Sequence, residues 1–217
     1  MKSKHFVTTL NPISKTCLFL LLLLIPVAFL LPAGWGRENQ PVENIQVLVL
    51  LAIGVVMYRA YRSGAGSMAT KKLILWAIPL LGIVLLRELS WGRVFYPDGS
   101  GGFLPLEKVY FGHYVYPAIG AIAIAVVAGI FRQKLHQEFV RWFKYGKFPL
   151  VDILLIVGCF FAADFIEHSK IFRGQRQELF EELLELVMYI AVMSLFFNLG
   201  FNKDMQPASL ESEAEKK

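Results

Sequence analysis

Cysteine is nearly absent from this 217-residue chain: there are two, Cys17 and Cys159, each inside an apolar run. Two isolated thiols in such surroundings exclude a disulfide-stapled secreted domain and a cysteine-held zinc site, and both read as small buried hydrophobes. Charge is scarce as well. Asp, Glu, Lys and Arg make up 18% of the residues and 56% are hydrophobic, whereas soluble domains carry about 25% charge. That deficit excludes a disordered chain and a wetted globular surface. The net charge of +5 is dispersed over several short loops, which excludes a strongly basic nucleic-acid binder. Catalytic signatures are missing too: there is no nucleophile elbow, no His-Glu-x-x-His, and no Gly-Lys-Ser/Thr after the Gly-rich stretch 97–102. That stretch reads as a flexible external loop.

What the chain does have is long apolar runs, with a mean hydropathy of +0.52. A bilayer core of ~30 Å takes about 20 helical residues. Six runs approach that length, at Thr16–Trp35, Ile45–Tyr58, Leu73–Trp91, Val109–Phe131, Phe148–Phe165 and Leu179–Phe201. Open sheets leave backbone groups unpaired in lipid, and the runs lack the alternation of a barrel. The expected fold is all-α: a polytopic transmembrane bundle of six spans over residues 1–201, followed by an unfolded polar cytoplasmic tail over 202–217. The first run, preceded by Lys2, Lys4 and Lys15, resembles a signal peptide, but no small-x-small site stands near Pro32-Ala33-Gly34. A retained helix is expected.

Lysine and arginine distribute unevenly over alternate sides. One side holds Lys2, Lys4, Lys15, Arg59, Arg62, Lys71, Lys72, Arg132, Lys134, Arg141, Lys144, Lys147, Lys203, Lys216 and Lys217; the other holds Arg37, Arg87, Arg93, Lys108, Lys170, Arg173 and Arg176. The positive-inside rule then puts both termini in the cytoplasm, in a bacterial inner membrane. Between the fourth and fifth runs, Arg132–Lys147 sets Leu135, Phe139, Trp142 and Phe143 at helical spacing against basic residues. This pattern suits an interfacial helix on anionic lipid headgroups, or a plain basic loop that enforces topology. Asp152, close to that interface, is expected to stay hydrated.

Most carboxylates gather at the opposite ends. Glu178, Glu181, Glu182 and Glu185 open the last run at i, i+3, i+4 and i+7, one stripe of a helix. A charge at mid-bilayer costs roughly 2.5–3.5 kcal/mol, so four acids on one face need partners, protons or water. Candidates occur at the same depth: Glu43 with Gln46, the Arg87–Arg93 segment with Glu88 and Trp91, His113 with Tyr114, and Asp164 with His168. Asp164 and His168 share a face at i, i+4, as do Glu88 and Trp91 at i, i+3.

Three readings of this layer follow. It is a structural network held by Arg87 and Arg93; or a divalent metal site, with His113, Asp164 and His168 as ligands, serving a metal-dependent hydrolase; or a pocket for a polar-headed, even lipidic, substrate. In the last, Glu88, Glu181 and Glu185 are the catalytic candidates, with Glu181 or Glu185 as general base, and Glu43, Arg87, Trp91, Arg93 and Glu182 bind substrate. A polar layer at one end suits a site facing the periplasm better than a conduit. The competing role is a non-enzymatic scaffold that docks other membrane proteins.

The run Arg87-Glu88-Leu89-Ser90-Trp91-Gly92-Arg93 resembles an E-[IL]-S-W-G-[QR] signature of uncharacterised bacterial integral membrane proteins, which also carry a later E-E-x-x-E helix matched here by Glu181-Glu182-Leu183-Leu184-Glu185. The resemblance covers two short motifs and implies no activity. It implies a shared binding or catalytic site around them, in which Arg93 stands where Gln is more usual.

Overall fold

A computed structural model describes residues 6–99, 102–169 and 174–207. A two-residue strand, β1 (Phe6–Val7), precedes α1 (Pro12–Leu30), α2 (Pro41–Ser63), α3 (Met68–Glu88), α4 (Gly112–Arg132) and the short α5 (His136–Tyr145). A second two-residue strand, β2 (Phe148–Pro149), pairs in parallel with β1 and leads into α6 (Leu150–His168) and α7 (Gln175–Phe201). The helices run alternately up and down, so the ends of α1, α2, α3, α4, α6 and α7 gather in two layers. One layer contains β1, β2 and α5, and is called here the strand end. The other contains the start of α7, and is called the carboxylate end.

The helix starts are legible chemically. Asn11 caps α1, its Oδ1 accepting the Ser14 N–H at 2.7 Å, and Pro12 occupies the first turn, where a missing N–H costs nothing. Ser67 caps α3 in the same way through Thr70 N. Each apolar run becomes a helix, with shifted limits. The third ends at Glu88, before Trp91, and the first ends at Leu30, before Pro32.

Five of these helices, α1, α2, α3, α4 and α7, are long and apolar enough to cross a membrane. The nineteen residues of α6 include Asp152, Asp164 and Glu167, which sets it apart. The exterior is apolar: Leu22, Phe29, Leu30, Leu48, Ile124 and Phe161 are all exposed. Such a surface is unfavourable in water and matched to lipid.

Helix α7 is the axis of the packing. Its neighbours are α6, α2 and α1, while α3 joins on α2, and α4 leans mainly on α3. Two cores result. One joins α1, α6 and α7 through Cys17, Leu24, Leu155, Cys159, Leu183 and Val187; the other joins α2, α3 and α7 through Leu50, Ile53, Met57, Ile74 and Tyr189. Both cysteines are buried and unpaired with each other, as small hydrophobes should be.

Two expectations about the strand end are corrected. Asp152 is fully buried, not hydrated. Its Oδ1 accepts from Ser14 Oγ at 2.7 Å and its Oδ2 from Asn198 Nδ2 at 2.8 Å. Ser14 and Ser194 hydroxyls meet at 2.8 Å, and Asn11 Nδ2 donates to Ser194 Oγ at 2.9 Å. Helices α1, α6 and α7 are therefore clasped by one polar network, and the clasp removes Asp152 from solvent. The unfolded tail expected from Asn202 is ordered through Pro207. Met205 is buried, Gln206 Nε2 donates to Leu199 O at 2.6 Å, and Lys147 N donates to Met205 O at 3.1 Å. Residues 208–217 of that expected tail lie outside the described residues.

Removing the Ser14 hydroxyl leaves Asp152 Oδ1 without its donor in a dry place. Ser14→Ala is expected to destabilise the protein by about 1–3 kcal/mol, read as a lower midpoint of thermal unfolding in detergent.

Candidate functional site

The carboxylate end is assembled by close backbone approach. Gly36, in the single turn Ala33–Gly36, packs so tightly on α7 that a Cβ there would overlap the backbone of Leu179. This contact holds Arg37 and Glu38 over the first turns of α7. The chain then enters α2 through Asn39, whose N–H donates to the Glu43 carboxylate.

The Ser90-Trp91-Gly92 segment after α3 is strained. Its φ values are +47°, +57° and +84°, and left-handed backbone at Ser and Trp costs of order 1–3 kcal/mol per residue. The turn lets α3 stop at Glu88, so the expected helical face shared by Glu88 and Trp91 does not form. It also swings Arg93 toward Glu38, with Nη2 to Oε1 at 2.7 Å. Trp91 is half-buried within this turn.

Glu88, the last residue of α3, is buried at 5% exposure. Its Oε1 accepts from Tyr189 OH of α7 at 2.7 Å. Glu182 accepts from Gln46 Nε2 through its side chain at 2.7 Å and its backbone carbonyl at 2.8 Å, so the Gln46 carboxamide is fixed with its nitrogen toward α7. Gln46 Oε1 is buried without a hydrogen-bond partner among the described residues. Arg87 reaches Glu185 at 3.3 Å. Oxygens of Glu88, Glu182 and Glu185 lie within 4.8 Å of one another.

The glutamate stripe of α7 faces two openings. On one side is a cleft of about 550 Å³ lined by Arg37, Glu38, Glu43, Glu178, Glu181 and Glu182, among others. On the other is a smaller cavity of about 90 Å³ that includes Arg87, Asp164, Glu167, Glu181 and Glu185. Glu181 borders both. Tyr189 was not a candidate from sequence, although its position one turn after Glu185 and two after Glu182 extends the same stripe. Glu38 was likewise missed, because only the fold brings its loop to Arg93.

The histidines sit apart from this cluster. Asp164 and His168 are adjacent, with Nδ1 to Oδ1 at 3.6 Å and Nδ1 to the Asp164 carbonyl at 2.9 Å, and with Glu167 they form a second, exposed acidic group. His113 is exposed at the start of α4, its ring 3.8 Å from that of Tyr114. Among the described residues it joins neither group that could hold an ion. The Gly-rich loop closes through an antiparallel bridge between Pro97 and Phe103 and an Asp98 N to Gly102 O bond of 3.0 Å. Residues 100 and 101 lie outside the described residues.

Comparison with known proteins finds no matching family model, no similar curated protein and no similar solved structure.

Tyr189 is the donor that satisfies buried Glu88. Tyr189→Phe keeps the ring packing yet strips that donor, and is expected to cost about 1–3 kcal/mol. Thermal unfolding of the variant beside Tyr58→Phe, an exposed control, checks this.

Proposed function

We propose that this is a six-span bacterial inner-membrane protein with both termini in the cytoplasm, whose carboxylate-end cleft opens to the periplasm and binds a polar-headed substrate bearing positive charge. Helix α6 serves as the sixth span. It is as long as α1, its Asp152 is consumed by the buried clasp, and Asp164 and Glu167 lie in its last two turns, near an interface.

The observation that carries the reading is the lining of the larger cleft. Among the described residues, Glu43, Glu178, Glu181 and Glu182 face it together with Glu38, which is paired with Arg93, and the one arginine in the lining is Arg37. A concave, low-dielectric surface of one sign attracts the opposite sign, so an ammonium head fits and a phosphate or carboxylate is repelled. Arg87 and Arg93, expected from sequence to bind substrate or to hold a structural network, pair with Glu185 and Glu38. The apolar flanks of the helices suit the tail of a lipid-like substrate. If the substrate is processed and not only held, Glu181, bordering both openings, is the residue placed to act as base.

Thermal unfolding with an alkylamine, an alkyl glucoside and an alkyl sulfate of equal chain length tests this. The amine is expected to stabilise the protein, by about 2.7 kcal/mol at a hundredfold excess over Kd, and Glu181→Gln with Glu182→Gln to lose most of that gain. Equal responses to all three headgroups would overturn the reading and favour a scaffold that docks other membrane proteins.

A second reading, a divalent cation site serving a metal-dependent hydrolase, is favoured by the convergence of Glu88, Glu182 and Glu185 oxygens within 4.8 Å. An all-oxygen donor set suits Mg²⁺, Ca²⁺ or Mn²⁺ better than zinc. Elemental analysis after loading with Mn²⁺ and desalting is expected to show one ion per chain, lost in Glu88→Gln and Glu185→Gln. Absence of retained metal in the parent protein would refute this version.

A further inference from the structure

At the strand end, helices α3, α5 and α7 leave a groove of about 290 Å³ between them. Leu73, Ile74, Ala77, Phe143, Phe196 and Leu199 line most of it, with Trp142 and Thr70 at its base. The polar atoms at the base are already engaged. Trp142 Nε1 donates to Thr70 Oγ1 at 3.1 Å, and Thr70 Oγ1 donates to Glu138 Oε1 at 2.6 Å. Ser67 Oγ donates to the same Glu138 oxygen at 2.9 Å, and Arg141 pairs with Glu138 at 3.2 Å. An occupant of the groove therefore meets hydrocarbon and aromatic rings, which is the environment of an acyl chain.

The surroundings are basic. Lys71 and Lys72 immediately precede Leu73, Lys144 follows Phe143, and Lys147 precedes the lining residue Phe148. None of these four lysines has an ion-pair partner among the described residues. Glu138 and Asp152 are buried and hydrogen-bonded, leaving Asp204 as the exposed acid of this end among the described residues. Helix α5 is amphipathic, with Phe139, Val140 and Phe143 exposed, as expected of a helix lying in a headgroup layer.

We propose that this groove is a binding site for an anionic phospholipid, one acyl chain lying along Leu73, Ala77 and Phe196 and the phosphate held at its rim by Lys71 and Lys147. Charge complementarity selects the headgroup, and the closed polar base selects the chain. The site rests on the proposed orientation only in that it would then face the cytoplasmic leaflet, where anionic lipids attract basic segments.

Trp142 provides the probe. Full-length protein in nanodiscs containing phosphatidylglycerol brominated on its acyl chains, or phosphatidylcholine brominated in the same positions at the same mole fraction, is compared by tryptophan quenching. The Trp142→Phe variant is subtracted to isolate the signal at the groove. Brominated phosphatidylglycerol is expected to quench more, with the preference falling about fivefold for each lysine removed in Lys71→Gln and Lys147→Gln. Equal quenching by the two lipids in the wild-type protein would overturn the proposal without reliance on any variant, and a preference untouched by the lysine changes would overturn the role of the lysines. Nanodiscs present both leaflets alike, so this result is independent of orientation. Labelling a Lys144→Cys variant in intact cells reads the orientation separately.

Discussion

The arrangement depends on a double demand placed on α7. Its first four turns carry four glutamates, yet Leu179, Phe180, Leu183, Leu184 and Val187 in the same turns are buried core residues. Both faces cannot be satisfied by lipid, because hydrocarbon offers a carboxylate no hydrogen bond. The apolar side is therefore enclosed by α1 and α6, and the glutamate side by polar groups from α2 and α3. Helix α7 becomes the centre of the bundle as a consequence. Gln46, Arg87 and Tyr189 are positioned by that requirement.

The loops at the carboxylate end follow from the same constraint. Gly36 permits backbone contact with α7, which places Glu38 above the glutamate stripe. The left-handed turn at Ser90, Trp91 and Gly92 sends the chain from Glu88 back toward Glu38 within a few residues, which a continued helix would not do. Strain of this kind persists where surrounding contacts over-determine it and is frequent at functional sites. Here it lies just after buried Glu88 and directly before Arg93, two residues of the carboxylate end.

At the other end polarity is handled differently. Asp152 and Glu138 are each surrounded by donors from separate helices, giving two sealed junctions, one joining α1, α6 and α7 and one joining α3 and α5. The second closes the base of the apolar groove with its polar atoms already paired. The first also makes α1 part of the packed structure, through Ser14, Asn11 and the buried Cys17. The buried acids of the strand end thus differ in kind from those of the carboxylate end: Asp152 and Glu138 are satisfied internally, whereas several at the carboxylate end line open space.

Much of this was legible in the residues. Long apolar runs fix helices, because helical hydrogen bonding is the local way to satisfy a backbone in lipid, and Asn11, Pro12 and Ser67 mark starts that capping chemistry requires. The glutamate stripe followed from spacing alone, since a 3.6-residue period is a local property. Partners were not legible. That Tyr189 serves Glu88, that Glu38 meets Arg93, and that Asp152 is dry while Asp164 and His168 stay exposed are facts about separate helices brought side by side. Periodicity determines which face of a helix is polar; only the packing of helices against one another decides which polar groups share a dry space, because burial and pairing depend on neighbours far away in the chain.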